Sequence, residues 1–291
     1  MRVSVPATIA NFGPGFDVFG LCLEKPRDFI RVKLSDEIEV KVKGYRVPEE
    51  PHKNVASVSA LSLLREVGVE SGFKMKIKKG IRPKSGLGSS GASALGGALA
   101  IARLLDIEDK EIILRAALEG ERVASGSSHG DNVVPALFGG FVILKSLFPL
   151  EVFKIDAKLK LAVVLPEVEV STKRAREVLP KYVPLSDAVR NLALASSLVL
   201  ALENGDIEEV GKLLDDYLAI PYRKPIIPWF DRVRKAALES GAYGLSISGS
   251  GPAVFALGEN LDEIGKAIVG AFEEEGINAE YFISKVGGGA E

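Results

Sequence analysis

One segment constrains this chain more than any other: Pro83-Lys84-Ser85-Gly86-Leu87-Gly88-Ser89-Ser90-Gly91-Ala92-Ser93, a glycine–serine loop that runs directly into a small-residue helical stretch over 92–105. Glycines without a Cβ let backbone N–H groups turn inward against a ligand, and the unpaired amides that open a helix add partial positive charge. The serine hydroxyls can meet phosphate oxygens or a bound cation. A tight turn ahead of a glycine-packed helix would also use glycines, but G-L-G-S-S at a helix start predicts a polyphosphate site.

Three better-known phosphate loops fail on context. The only Gly-Lys pairs, Gly211-Lys212 and Gly265-Lys266, lack the first glycine that a G-x-x-x-x-G-K-[ST] loop requires. No H-R-D or D-F-G follows, which excludes the protein-kinase arrangement. Gly86, Gly88 and Gly91 do spell G-x-G-x-x-G, with Asp106 at a suitable distance. A dinucleotide site needs that acid at the end of a second strand, whereas Asp106 lies between two helical segments.

Composition narrows the setting. A net charge of −2 on 291 residues leaves no electrostatic footprint for nucleic acid, and 47% hydrophobic against 26% charged residues suits a globular chain with a sizeable core. The lone Cys22 cannot form an internal disulfide, and with only His52 and His129 it leaves too few soft ligands for structural zinc. Residues 1–6 lack the apolar core of a signal peptide. The apolar stretches 192–202 and 133–144 are shorter than a bilayer is thick, so a cytoplasmic protein without a membrane partner is expected.

Period-two alternation predicts strands over 30–34, 38–42 and 73–79, and helical patterns cover 55–67, 92–105 and 110–124. A turn at Gly139-Gly140 leads into an apolar strand, 141–144. Beyond Ala157 a buried strand at 159–165 opens a second unit. Helices at 186–203, 207–218 and 228–240 follow, then strands at 244–248 and 253–257, and segments 261–274 and 280–285 close the chain. The mixture predicts an α+β chain divided into 1–156 and 157–291.

Two further glycine motifs complete a set: P-A-T-I-A-N-F-G-P-G-F-D-V-F-G at 6–20 and S-I-S-G-S-G-P-A at 246–253. With the central loop, in this order and spacing, they resemble the three motifs of the GHMP small-molecule kinase superfamily. S-G-S-S-H-G-D-N-V-V-P-A-L at 125–137 and Pro221-Tyr222-Arg223 make the chain similar, over nearly its whole length, to the homoserine kinase family. The resemblance implies the two-domain GHMP kinase fold, with a ribosomal protein S5 domain 2-like N-terminal domain, a ferredoxin-like C-terminal domain and the active site between them. It implies a homodimer that transfers a phosphoryl group from ATP, with Mg2+, to the hydroxyl of L-homoserine in threonine biosynthesis.

The same resemblance assigns residues. Asn54 and the loop 83–93 would meet ATP, and Ser90 and Glu121 would hold magnesium, which keeps several waters and needs few protein oxygens. Arg176 and Arg223, with Thr172, match the carboxylate-binding positions; guanidinium groups grip planar oxyanions in a two-pronged fashion. Asn11, Asp17 and Asp131 suit the ammonium, with His129 beside them, and Asp131, Asn132 and Arg176 form the expected reaction centre. The first motif lacks the lysine that many superfamily members carry, and Asp131 is committed to the ammonium. Catalysis by approximation, without a strong base, is therefore expected. Two alternatives stay open: another small alcohol such as shikimate or mevalonate, or a catalytically silent ATP or metabolite binder.

Overall fold

The computed structural model describes residues 1–125 and 130–291. The first unit is built on a sheet of β1 (Arg2–Ala10), β2 (Phe19–Ser35), β3 (Glu39–Gly44), β4 (Gly72–Lys79), β5 (Phe141–Ser146) and β6 (Glu151–Ile155). The order is β3-β4-β2-β5-β6, with β1 also paired to β2. Along β4 the residues Phe73, Met75 and Ile77 are buried while Lys74, Lys76 and Lys78 are exposed, the alternation that a one-sided sheet imposes. Helices α1 (Val55–Glu66), α2 (Ser89–Leu104), α3 (Lys110–Ser125) and α4 (Gly130–Phe138) belong to this unit. The middle of α2, Gly91 to Ala102, is buried on every side, which its Ala and Gly residues permit.

The second unit contains β7 (Lys160–Pro166), α5 (Thr172–Glu177), α6 (Leu185–Asn204), α7 (Ile207–Lys212), α8 (Ile220–Arg223), α9 (Phe230–Glu239), β8 (Ala242–Ile247), β9 (Val254–Gly258), α10 (Leu261–Glu274) and β10 (Ala279–Lys285). Its antiparallel sheet runs β10-β7-β9-β8, the strand order of a ferredoxin-like unit. Side chains on one face, such as Val164, Val254 and Ala256, pack with Trp229, Phe230 and Phe272. Those on the other, Val163, Phe255 and Leu257, join the core of the first unit. Phe12 stacks on Phe255 with ring centroids 4.8 Å apart. Past β10 the chain returns to the first sheet, where Ser4 and Glu291 exchange two backbone hydrogen bonds of 2.6 and 2.9 Å.

Several expectations are corrected. Strand β2 is 17 residues long, of which alternation marks only the end; β1, β6, α4 and α5 carry no clear periodic signal. Helix α2 opens at Ser89 rather than 92 because Gly88 adopts the left-handed conformation, φ 65°, immediately before it. The helix expected over 207–218 stops at Lys212; Asp216 instead accepts hydrogen bonds from the amides of Leu218, Ala219 and Ile220. The apolar run at 192–202 sits in a helix of 20 residues, long and apolar enough by composition to cross a bilayer. One face of that helix is fixed to the body of the protein through buried Asn191, Leu198, Ala201 and Leu202.

Candidate active site

All three glycine motifs meet at the start of α2. The loop before it turns through left-handed backbone at Lys84, Gly86 and Gly88. A side chain at Gly86 would press on the carbonyls of Ser248 and Gly251, at 2.7 and 2.8 Å, and one at Gly88 would strike the Thr8 hydroxyl and the Asn132 amide. Only glycine fits there. The third motif is stapled to the loop by Ser248 Oγ, which donates to Gly86 O at 2.7 Å, and by Ala253 N, which donates to Ser85 O at 3.0 Å. The first motif joins them through Gly249 N to Ala10 O and Asn11 Nδ2 to Gly249 O, at 2.9 and 3.1 Å.

The loop serines divide by task. Ser85 donates to Arg82 O and Ser89 to Ile81 O, while Lys79 reaches Ser93 Oγ, so these three hold the loop itself. Ser90 is half-buried and hydrogen-bonds Glu121 from α3. Gly88 serves as the N-cap of α2 without a side-chain capping bond, and the first amides of the helix have no intrahelical partner. Lys84 pairs with Glu169 at 2.9 Å on the surface.

Glu121 and Asp131 are buried carboxylates. Burial pushes Glu121 up to about 7, and the Asp131 charge adds to that; the Ser90 bond and the Lys79 charge pull the other way. Burial and the Asp17 charge push Asp131 up to about 6, against the pull of Arg176 and Arg223. Asp131 stands in the first turn of α4, and Thr8 donates to the neighbouring Asn132 at 2.9 Å.

Arg176 from α5 grips Asp17 with two bonds of 3.0 and 2.6 Å. Arg223, 2% exposed, donates to Ala175 O and Gly249 O. Both guanidinium groups lie over the Phe16 ring, 5.7 and 5.4 Å from its centroid. Thr172 Oγ1 is 3.3 Å from Ser250 Oγ, joining α5 to the third motif. The expectation sets Asp17 and Arg176 at different ends of a substrate; here they face each other. Asn54 caps α1, accepting from Ser57 N and donating to Pro48 O, so both ends of its amide are engaged in the fold. His129 lies outside the described residues.

Four further contributors lie outside the residues expected from the sequence. Beneath the loop, Lys79 forms a fully buried ion pair with Asp28 and donates to Ser89 O and Ser93 Oγ at 3.0 and 2.9 Å. Asp28 also accepts from Gly80 N and Ile81 N. Both residues fall in phase with the buried apolar positions of β4 and β2, and a charge at an inward position is a readable signal. Phe16 and Asn191 give no such signal. Asn191 on α6 donates to Pro14 O at 2.8 Å and accepts from Tyr217 N, bracing the first motif from behind.

Comparison with known proteins bears on this geometry. Residues 54–140 match the model of the GHMP kinases N terminal domain and 198–276 that of the GHMP kinases C terminal domain. The sequence is 64% identical over 290 residues to the homoserine kinase of Pyrococcus furiosus, covering 100% of this chain and 99% of that protein. It is 62% identical over 289 residues to that of Pyrococcus abyssi, covering 99% and 98%. The crystal structure of homoserine kinase from Cytophaga hutchinsonii superposes with a TM-score of 0.90 at 40% identity, covering 100% of this chain and 96% of the other.

Proposed function

The chain belongs to the homoserine kinases of the GHMP kinase family, and from that premise we propose how its site phosphorylates the hydroxyl of L-homoserine with ATP, a step of threonine biosynthesis. The ATP phosphates lie on the backbone amides of residues 86–91 and on the N-terminus of α2, which together favour an anion. Ser90 and Glu121, joined by a hydrogen bond, would hold a magnesium ion. A buried carboxylate raised by desolvation gains from a nearby cation, and hydroxyl and carboxylate oxygens are the hard donors that magnesium takes. When bound there, the ion would supply charge neutralisation on the phosphate oxygens.

The homoserine carboxylate takes the two guanidinium groups over Phe16, so that Arg176 exchanges its grip on Asp17 for the substrate. Asp17 is then released to join Asp131 and Asn11 at the ammonium. The hydroxyl oxygen forms its bond to the γ-phosphorus as the bond to the β–γ bridging oxygen breaks, and the hydroxyl proton leaves to the phosphoryl oxygens. A loose transition state of this kind gains most from alignment, which Asn132 and Thr8 supply beside Gly88; removing the hydroxyl proton early would add little. In this reading residues 1–156 hold the nucleotide and 157–291 bring the arginines. Two copies pair, and the enzyme works in the cytoplasm.

The observation that carries the reading is the pair of arginines over one aromatic ring, beside Asp131 and the three glycine motifs. A charge-assisted hydrogen bond contributes about 1.5–3 kcal/mol, roughly one to two powers of ten in specificity. L-homoserine should therefore be phosphorylated far better than 3-amino-1-propanol, which lacks the carboxylate. Arg176→Ala and Arg223→Ala should each lower kcat/KM for homoserine and narrow the preference. Steady-state rates on both alcohols for the three proteins test this, and equal use of the two by the wild type would overturn it.

A further inference from the structure

Among the described residues, one helix face has no partner. On α6, Leu185, Val189, Leu192 and Leu200 are 80, 57, 67 and 62% exposed, and Tyr182 just before the helix is 88% exposed. Positions 185, 189, 192, 196 and 200 recur at helical spacing and share one stripe, with Ser196 exposed among them. The opposite face is fixed through Asn191 and Leu198. A stripe of solvated apolar side chains along one helix face marks an interaction surface, whereas scattered ones would not.

We infer that this stripe docks a second copy of the chain, α6 against α6 in antiparallel orientation, about a twofold axis near Leu192 and Ala193. The inference rests on the homodimer reading above and adds the surface. Self-pairing is favoured because the stripe is nearly palindromic. A twofold between 192 and 193 sets Leu185 against Leu200 of the other copy, and Val189 against Ser196, each pairing made twice. Charge agrees: exposed Lys181 precedes the helix and exposed Glu203 lies near its end, so antiparallel pairing brings opposite charges together at both ends. Ala193 and Ser196 are small, which lets the two backbones approach near the axis. The helix also has the length and composition of a membrane span. Lipid would have to detach the face that holds Asn191 and Leu198, which disfavours that occupant.

The docked face lies directly behind the first motif, because Asn191 on the same helix holds Pro14 O. Pairing therefore stiffens the wall of the homoserine site.

Sedimentation velocity on the wild type, on Leu192→Lys and on Ala193→Cys tests the surface. The side chain of Leu192 is exposed, so the lysine variant should keep the circular-dichroism spectrum and melting of the fold. The expected result is a dimeric wild type, a monomeric Leu192→Lys with a several-fold higher KM for homoserine, and an Ala193→Cys that oxidises to a covalent dimer. A control cysteine at exposed Lys235 should not cross-link. A dimer that survives Leu192→Lys and fails to cross-link at 193 would overturn this surface and leave the homodimer reading standing. A monomeric wild type would overturn both, as would flotation of the wild-type monomer with phosphatidylglycerol vesicles. A monomeric variant with unchanged KM would overturn the stiffening of the site.

Discussion

At the scale of single residues, Asp131 carries the clearest consequence. Its carboxyl is raised to about 6 from an ordinary 3.8, chiefly by burial. It is therefore charged, and able to pair with an ammonium as proposed above, only above about that pH. The sign follows directly: KM for homoserine should rise as pH falls through 6, while the ammonium itself stays protonated throughout. Asp131→Asn should start from a raised KM and lose this pH dependence, with a smaller effect on the turnover of saturated enzyme. KM measured against pH for both proteins checks it, and a collapse of kcat at saturation would make Asp131 the base instead. This residue is legible because it stands inside a recognisable motif. Lys79 and Asp28 stand in none, although their inward phase on β4 and β2 marks them; the run K-I-K-K reads as one solvated face until the strand register is known. Phe16 is hidden for another reason: its role comes from two arginines far away in sequence.

At the scale of elements, the junction between β4 and α2 depends on that buried pair. Burial holds Lys79 below its ordinary range, and Asp28 opposes the shift. Removing one partner leaves the other charged and unpaired in the interior, which costs about 3–5 kcal/mol. Lys79→Met should lose stability on that scale in denaturant unfolding and weaken ATP binding, since Ser89 O and Ser93 Oγ lose their common donor. Lys79→Met combined with Asp28→Leu should recover part of the stability without recovering the nucleotide affinity. Regular, strongly periodic elements such as α1, α3 and α10 are legible in the sequence to within a residue or two. Those that are not share a cause. Strand β2 crosses Glu24, Lys25, Arg27 and Asp28, which interrupt its alternation, and α4 contains Pro135, which local preference alone would exclude from a helix.

At the scale of the whole molecule, one continuous core runs from the first sheet to the inner face of the second, with Phe12, Phe141 and Phe255 at its centre. The two units should accordingly melt as one. Phe12→Ala should lower stability by about 3–5 kcal/mol, and calorimetry should still show a single transition; two separated transitions would contradict the shared core. The order of the three motifs is plain in the sequence, whereas their convergence depends on contacts across more than a hundred residues, such as Ser248 to Gly86. That staple has a bearing on evolution and engineering. The glycine loop before α2 is completed by residues far along the chain, and the chain's final residues bond back to its first strand. Exchanging the C-terminal half for that of a distant relative would therefore replace the partners of the glycine loop as well. Chimeras cut between the units must carry compatible partners for Gly86, Phe12 and Ser4, so new substrate specificities are more accessible by changing the arginine-bearing helices within one chain than by shuffling halves.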